Sequence, residues 1–221
     1  MPIADLISTR IPARLLLLRA EALLDSGQAR AAQDAFILAL AAVEDETGRC
    51  NALIGLAGAR RIIEDLPGAL EALERAQAIA RAADDAEALS RIHNLRGNVY
   101  FPMGRAGDCA AEQTQALAEA ERAGSTESIA RALGGLGDAE YARGRMSHAV
   151  DAFVRCVEAA REAGLGRTEV ANAPMVAICR LFDLDIEGML ESAEQAIALA
   201  RRVGQLRPEM IAQHAIMQAG V

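Results

Sequence analysis

The chain has 221 residues, a formal charge of −8 and a pI near 5.0, so it lacks the clustered Lys and Arg on which nucleic-acid binding leans. Its apolar residues make up 52% of the whole, mostly Ala and Leu, with no Trp, two Tyr and four Phe, a helix-forming composition whose core must come from many small contacts. The longest apolar run, Leu15–Leu18, is far below the roughly 20 residues that cross a bilayer; with no basic-then-apolar leader, a cytoplasmic protein without membrane or nucleic-acid partners is expected.

Taken in order, the chain opens with residues 1–12, a tail or remnant helix marked by Pro2 and Pro12. From there it repeats. Units starting at 13, 50, 90, 130, 170 and 210 are separated by 37 residues once and by 40 thereafter. The eighth residue of each complete unit is Ala20, Ala57, Gly97, Gly137 and Ala177. The twentieth is Ala32, Ala69, Cys109, Ala149 and Met189, and the twenty-seventh is Ala39, Ala76, Ala116, Cys156 and Ala196. Small residues that recur in this way mark close approach of two antiparallel helices, with Phe36, Leu73 and Phe153 filling the space between. A fixed period of this length signals a stacked solenoid.

Apolar spacing and breakers predict helices over 13–26, 30–46, 50–63, 67–83, 86–102, 106–123, 126–142, 146–163, 168–183, 187–203 and 208–219. Gly27, Gly104 and Gly144 should turn the first helix of a pair into the second, and Pro67-Gly68 should do so in the second unit. Gly124, Gly164 and Gly204 should end second helices, and Asp84-Asp85 should start one. Pro174 should kink its helix or delay its start. The last unit stops at Val221 without a second helix, so Ile211, Ile216 and Met217 should be exposed, and the chain reads as part of a longer protein. No linker-like composition divides residues 13–221, which therefore read as one continuous domain.

Chemistry is thinly signalled. Cys50, Cys109, Cys156 and Cys179 lie 59, 47 and 23 residues apart, matching no zinc or redox spacing, and read as small buried thiols. His93, His148 and His214 fall in different units, His93 at a position for a partly buried ring. The cluster Gly134, Gly135 and Gly137 follows no strand, so it reads as helix packing and not as a phosphate loop. No catalytic residue, metal ligand or cofactor site is expected, and the chain itself should not be an enzyme.

The period and the paired small residues identify the chain as a member of the tetratricopeptide repeat family. That resemblance implies an all-α, right-handed superhelix of about five helix pairs plus a final unpaired helix. It also implies a concave groove lined by the first helix of each pair. The groove positions hold Arg61, Arg91, Asn94, Asn98, Phe101, Arg131, Asp138 and Tyr141, with Leu181 and Phe182 farther along. Arg and Asn there suit a protein or peptide partner with acidic side chains. The strings LRGNVYFPMGR, GGLGDAEYARGRM, FVRCVEAAREAGLGR and TEVANAPM more narrowly resemble the C-terminal repeats of bacterial proteins that join a class III adenylate/guanylate cyclase domain to an AAA ATPase. That likeness implies a regulatory or sensory arm of a signalling protein. The alternative is a structural module that associates with itself, end to end.

Overall fold

The structure, a computed structural model, describes residues 12–220; the tail over residues 1–11 lies outside the described residues. They form eleven α-helices with no strand among the described residues. They divide into two compact units, one reaching Ala88 and the other beginning at Leu89.

The first unit contains α1 (Ala13–Asp25), α2 (Ala29–Ala42), α3 (Glu46–Ile62) and α4 (Leu66–Ala82). The second contains most of α5 (Ala86–Tyr100), then α6 (Ala106–Ala123), α7 (Thr126–Ala142), α8 (Met146–Glu162), α9 (Gly166–Phe182), α10 (Ile186–Val203) and α11 (Leu206–Gln218). Within each unit consecutive helices pack against one another where their small residues meet. All fifteen positions of the small-residue register are buried, Met189 among them. The register is also tied by hydrogen bonds between the start of one helix and the twenty-seventh residue of its unit. Cys50 Sγ donates to the Ala76 carbonyl at 3.6 Å, and Ser90 Oγ to the Ala116 carbonyl at 2.8 Å. In the next pair the polarity reverses, with Cys156 Sγ donating to the Ala130 carbonyl at 3.2 Å.

A bulky side chain, the twenty-fourth residue of the first four units, fills the space between neighbouring helices; in the fifth unit that position is Ala193. Phe36 lies against Gly55, where a Cβ would come within 2.2 Å of the ring, and Phe153 lies against Gly137, where the distance would be 2.7 Å. In the third unit the same place is held by Gln113, which is 0% exposed. Its amide is flanked by Gly97 and Gly135, where a Cβ would stand 2.6 and 2.4 Å away. Gly134, Gly135 and Gly137 thus each serve a different neighbour inside α7.

Several sequence expectations need correcting. The second helix ends at Ala42; Val43 is extended, and Asp45 caps α3 by accepting from Gly48 N at 2.7 Å. The short first interval therefore reflects a 14-residue α2, against 17 in α4. Pro67-Gly68 does not make a turn but lies in the first turn of α4, and Glu64 takes the left-handed conformation at φ 66°. Leu184 does the same after α9, at φ 63°. In both places an Asp caps the next helix and an Arg binds the carbonyl three residues beyond the cap: Asp65 with Arg60 and Gly68, and Asp185 with Arg180 and Gly188. The glycines Gly27, Gly104 and Gly144 turn as expected, at φ 70–78°, and Gly124, Gly164 and Gly204 follow second helices at φ 66–70°. Asp84 is itself left-handed, and Asp85 caps α5. Pro174 is buried within α9, which starts at Gly166 and runs unbroken to Phe182. Ile211 and Ile216 pack against a core of α9 and α10 residues, leaving Met210 and Met217 exposed.

Candidate functional site

Within the second unit α7 packs on α9 and α9 on α11. The second helices α8 and α10 stand apart on either side of a cleft of about 740 Å³, lined by Val154 and Val157 of α8, Val176 of α9 and Leu199 of α10. First helices drawn together while second helices spread give the unit an inner face, built of first helices.

On that face Asn94 and Asn98 of α5 are tied to buried Gln113. Asn94 Nδ2 donates to Gln113 Oε1 at 2.9 Å and to the Arg131 carbonyl at 3.2 Å. Gln113 Nε2 donates to the Asn94 carbonyl and to Asn98 Oδ1, both at 3.1 Å, and Asn98 Nδ2 reaches Asn94 Oδ1 at 3.3 Å. A buried amide is tolerable only when its donors and acceptors are met, and here they are. Gln113 was missed in the sequence because its sister positions, Phe36, Leu73, Phe153 and Ala193, are all apolar; the signal was the pair of glycines facing it.

Arg91 is half-buried on α5 and Arg131 exposed on α7, where it forms an ion pair with Glu127 one turn earlier. Phe101 is exposed just after α5. Asp138 reaches solvent, yet so much protein surrounds it that lost hydration pushes its carboxyl up to about 6. One turn on, Tyr141 meets Phe182 of α9 with ring centroids 6.2 Å apart at 52°, an inclined pair of the favourable kind. Arg61 belongs to the first unit, on α3. It is half-buried, its Nε has no hydrogen-bond partner, and burial lowers its pKa.

The four thiols are buried. Burial, with the Asp138 charge as a lesser cause, pushes Cys109 up to about 11 and Cys156 and Cys179 to about 12, values that suppress thiolate chemistry. His93 Nδ1 lies 2.7 Å from Glu112 Oε2, which Arg96 also approaches at 3.5 Å. Among the described residues no group of three or more His, Cys, Asp or Glu gathers to hold a metal, and no helix is long and apolar enough to cross a membrane.

The fold and the face together define a helical-repeat architecture of paired antiparallel helices. A family model described as the tetratricopeptide repeat matches residues 85–162, from just before α5 to the end of α8. No curated protein sequence matches the chain. Among solved structures, the chain is similar to a Pyrococcus horikoshii signal transduction ATPase with numerous domains and a tetratricopeptide repeat sensor. The TM-score is 0.80 at 18% identity, over 92% of this chain and 32% of that one. It is also similar to aspartyl phosphate phosphatase F of Bacillus subtilis (TM-score 0.78, 14% identity, 92% and 54% covered). A Rap protein complexed with competence and sporulation factor gives TM-score 0.77 at 15% identity, with 90% and 56% covered. The chain thus spans about half the length of the phosphatase and Rap structures and a third of the ATPase. The likeness shows the fold, an all-α repeat superhelix of the tetratricopeptide kind.

Proposed function

We propose that the chain is a protein- or peptide-binding scaffold, the regulatory or sensory arm of a larger cytoplasmic bacterial signalling protein, binding rather than catalysing. The observation that carries this reading is the inner face of the second unit. Arg131, Asp138, Tyr141 and Phe182 remain at least partly accessible there, on helices whose opposite sides hold the core. Exposed Arg and aromatic side chains are the residue types that anchor partners. The signalling context is supported by the repeat sensor in the ATPase structure, by the bound factor in the Rap structure, and by the cyclase-type strings over residues 90–180.

A partner segment with acidic side chains would lie across Arg91 and Arg131, equivalent positions of successive first helices. The Glu127 pair does not preclude this, since an exposed ion pair is worth only about 0–1 kcal/mol and can be exchanged. Arg91→Ala/Arg131→Ala should bind such a segment more weakly than wild type, and the difference should shrink at high salt. Equal binding by a folded double variant would refute this placement. A second reading, self-association, is favoured by exposed Leu206, Met210 and Met217 at α11; a concentration series in the ultracentrifuge that shows only monomer would remove it.

A further inference from the structure

The arginines on α7, just after it and at Arg180 of α9 are each paired with a carboxylate. Arg131 pairs with Glu127. Arg143 and Arg145 approach Glu140 at 2.7 and 3.7 Å. Arg180 approaches Asp185 at 3.7 Å and also donates to the Gly188 carbonyl and Ser192 Oγ. Asp138, one turn from Tyr141, has no ion-pair partner among the described residues. It is a carboxylate that the fold surrounds with protein but does not neutralise. Beside it the Tyr141–Phe182 ring pair presents an aromatic surface, with Phe182 52% exposed. The next residue of the chain, Asp183, adds a second acid, held by a 3.1 Å hydrogen bond from Ser147 Oγ. Both Asp138 and Asp183 act on the Cys179 thiol of α9, so the two charges converge on the same end of that helix.

An unneutralised carboxylate beside aromatic rings suits one chemistry. A guanidinium or ammonium group can stack on a ring face while it meets the acid. We infer that this end of the inner face, Asp138 with Tyr141 and Phe182, binds an arginine or lysine side chain of the partner segment. The inference rests on the scaffold reading and deepens it. The partner carries a basic residue for the α7–α9 end and acidic residues for the Arg91–Arg131 end. The face is therefore polar along its length, and a ligand can lie on it in one direction only. An acidic segment slid toward α9 would bring its carboxylates against Asp138 and Asp183, and that repulsion fixes direction.

The test uses two model peptides of twelve residues, one alternating Arg with Ala and the other Glu with Ala, titrated into isotopically labelled protein at neutral pH. The Arg peptide should shift the ring signals of Tyr141 and Phe182. Asp138→Asn and Phe182→Ala should each weaken it roughly five- to tenfold. Asp151→Asn, an exposed acid on α8, should leave it unchanged. If Asp151→Asn matches Asp138→Asn, or Phe182→Ala has no effect, the attraction is only that of an acidic chain for a cation, and the inference is overturned. If the Glu peptide shifts residues around Arg91 and Arg131 while the Arg peptide leaves α7 and α9 unmoved, the scaffold reading stands and the basic subsite fails. If neither peptide moves any inner-face signal, both fail. Thermal midpoints no lower than that of wild type for the two site variants confirm that a lost interaction is not lost folding.

Discussion

The third and fourth repeats, α5–α6 and α7–α8, share one backbone plan and differ in what fills it. In the fourth, Phe153 is fully buried against Gly137. In the third, Gln113 occupies the same position, equally buried, and spends its amide on Asn94 and Asn98. An aromatic knob holds its hairpin by contact and transfers nothing to the surface. The amide knob holds its hairpin by directed bonds, and so fixes the rotamers of two residues on the inner face. Repeat proteins can therefore keep a shape while making one unit stiffer and more polar on the side that meets a partner.

The sharpest way to break the contrast is Phe153→Ala, which should cost about 3–5 kcal/mol, read by denaturant unfolding with an unchanged m-value. Next comes Gln113→Leu. It keeps volume but removes the donor to Asn98 Oδ1 and one acceptor of the Asn94 amide, for a loss of about 1–3 kcal/mol. In that background Asn94→Ala should add little, because the two residues act as one network, and a double-mutant cycle measures this. Gly137→Ala should also destabilise, by about 1–2 kcal/mol, since overpacking against a ring that cannot move outweighs the helix propensity gained. Independent behaviour of Gln113 and Asn94 in the cycle would remove the distinction between the two repeats.

The smallest effect is a pH dependence. Asp138 is shifted upward, to about 6, the reverse of a salt-bridged carboxylate. The folded state then holds the proton more tightly than the unfolded chain does. The stability it contributes is complete below the unfolded carboxylate pKa of about 3.9 and is lost as pH rises through about 6. Asp138→Asn should accordingly raise the thermal midpoint at pH 7.5 and lose that advantage at pH 4. Parallel melting curves at both pH values would show that the carboxyl is ordinary.

The register of the fold was legible because the series falls at the same places in each pair and every member is buried, so that repetition alone reveals it. The turns were only half legible. Gly27, Gly104 and Gly144 announce themselves, whereas Glu64 and Leu184 adopt the same backbone with side chains that disfavour it. What stabilises those two turns is the combination of Arg60, Asp65 and Gly68, recurring 120 residues later as Arg180, Asp185 and Gly188. That is a pattern spread over nine residues rather than one letter. For the inner face the sequence offered a set of positions. Its commitments were not legible, because the engagement of Asn94 by Gln113 and the isolation of Asp138 depend on neighbours from other helices.

The buried thiols have a use in the laboratory. Cys50, Cys109, Cys156 and Cys179 belong to the second, third, fourth and fifth repeats, one each. Raised well above neutrality in three cases, they should resist an alkylating reagent while the helices around them stay closed. Mass spectrometry of a timed alkylation would then read four natural clocks, and the order in which the thiols are modified would give the order in which the repeats open.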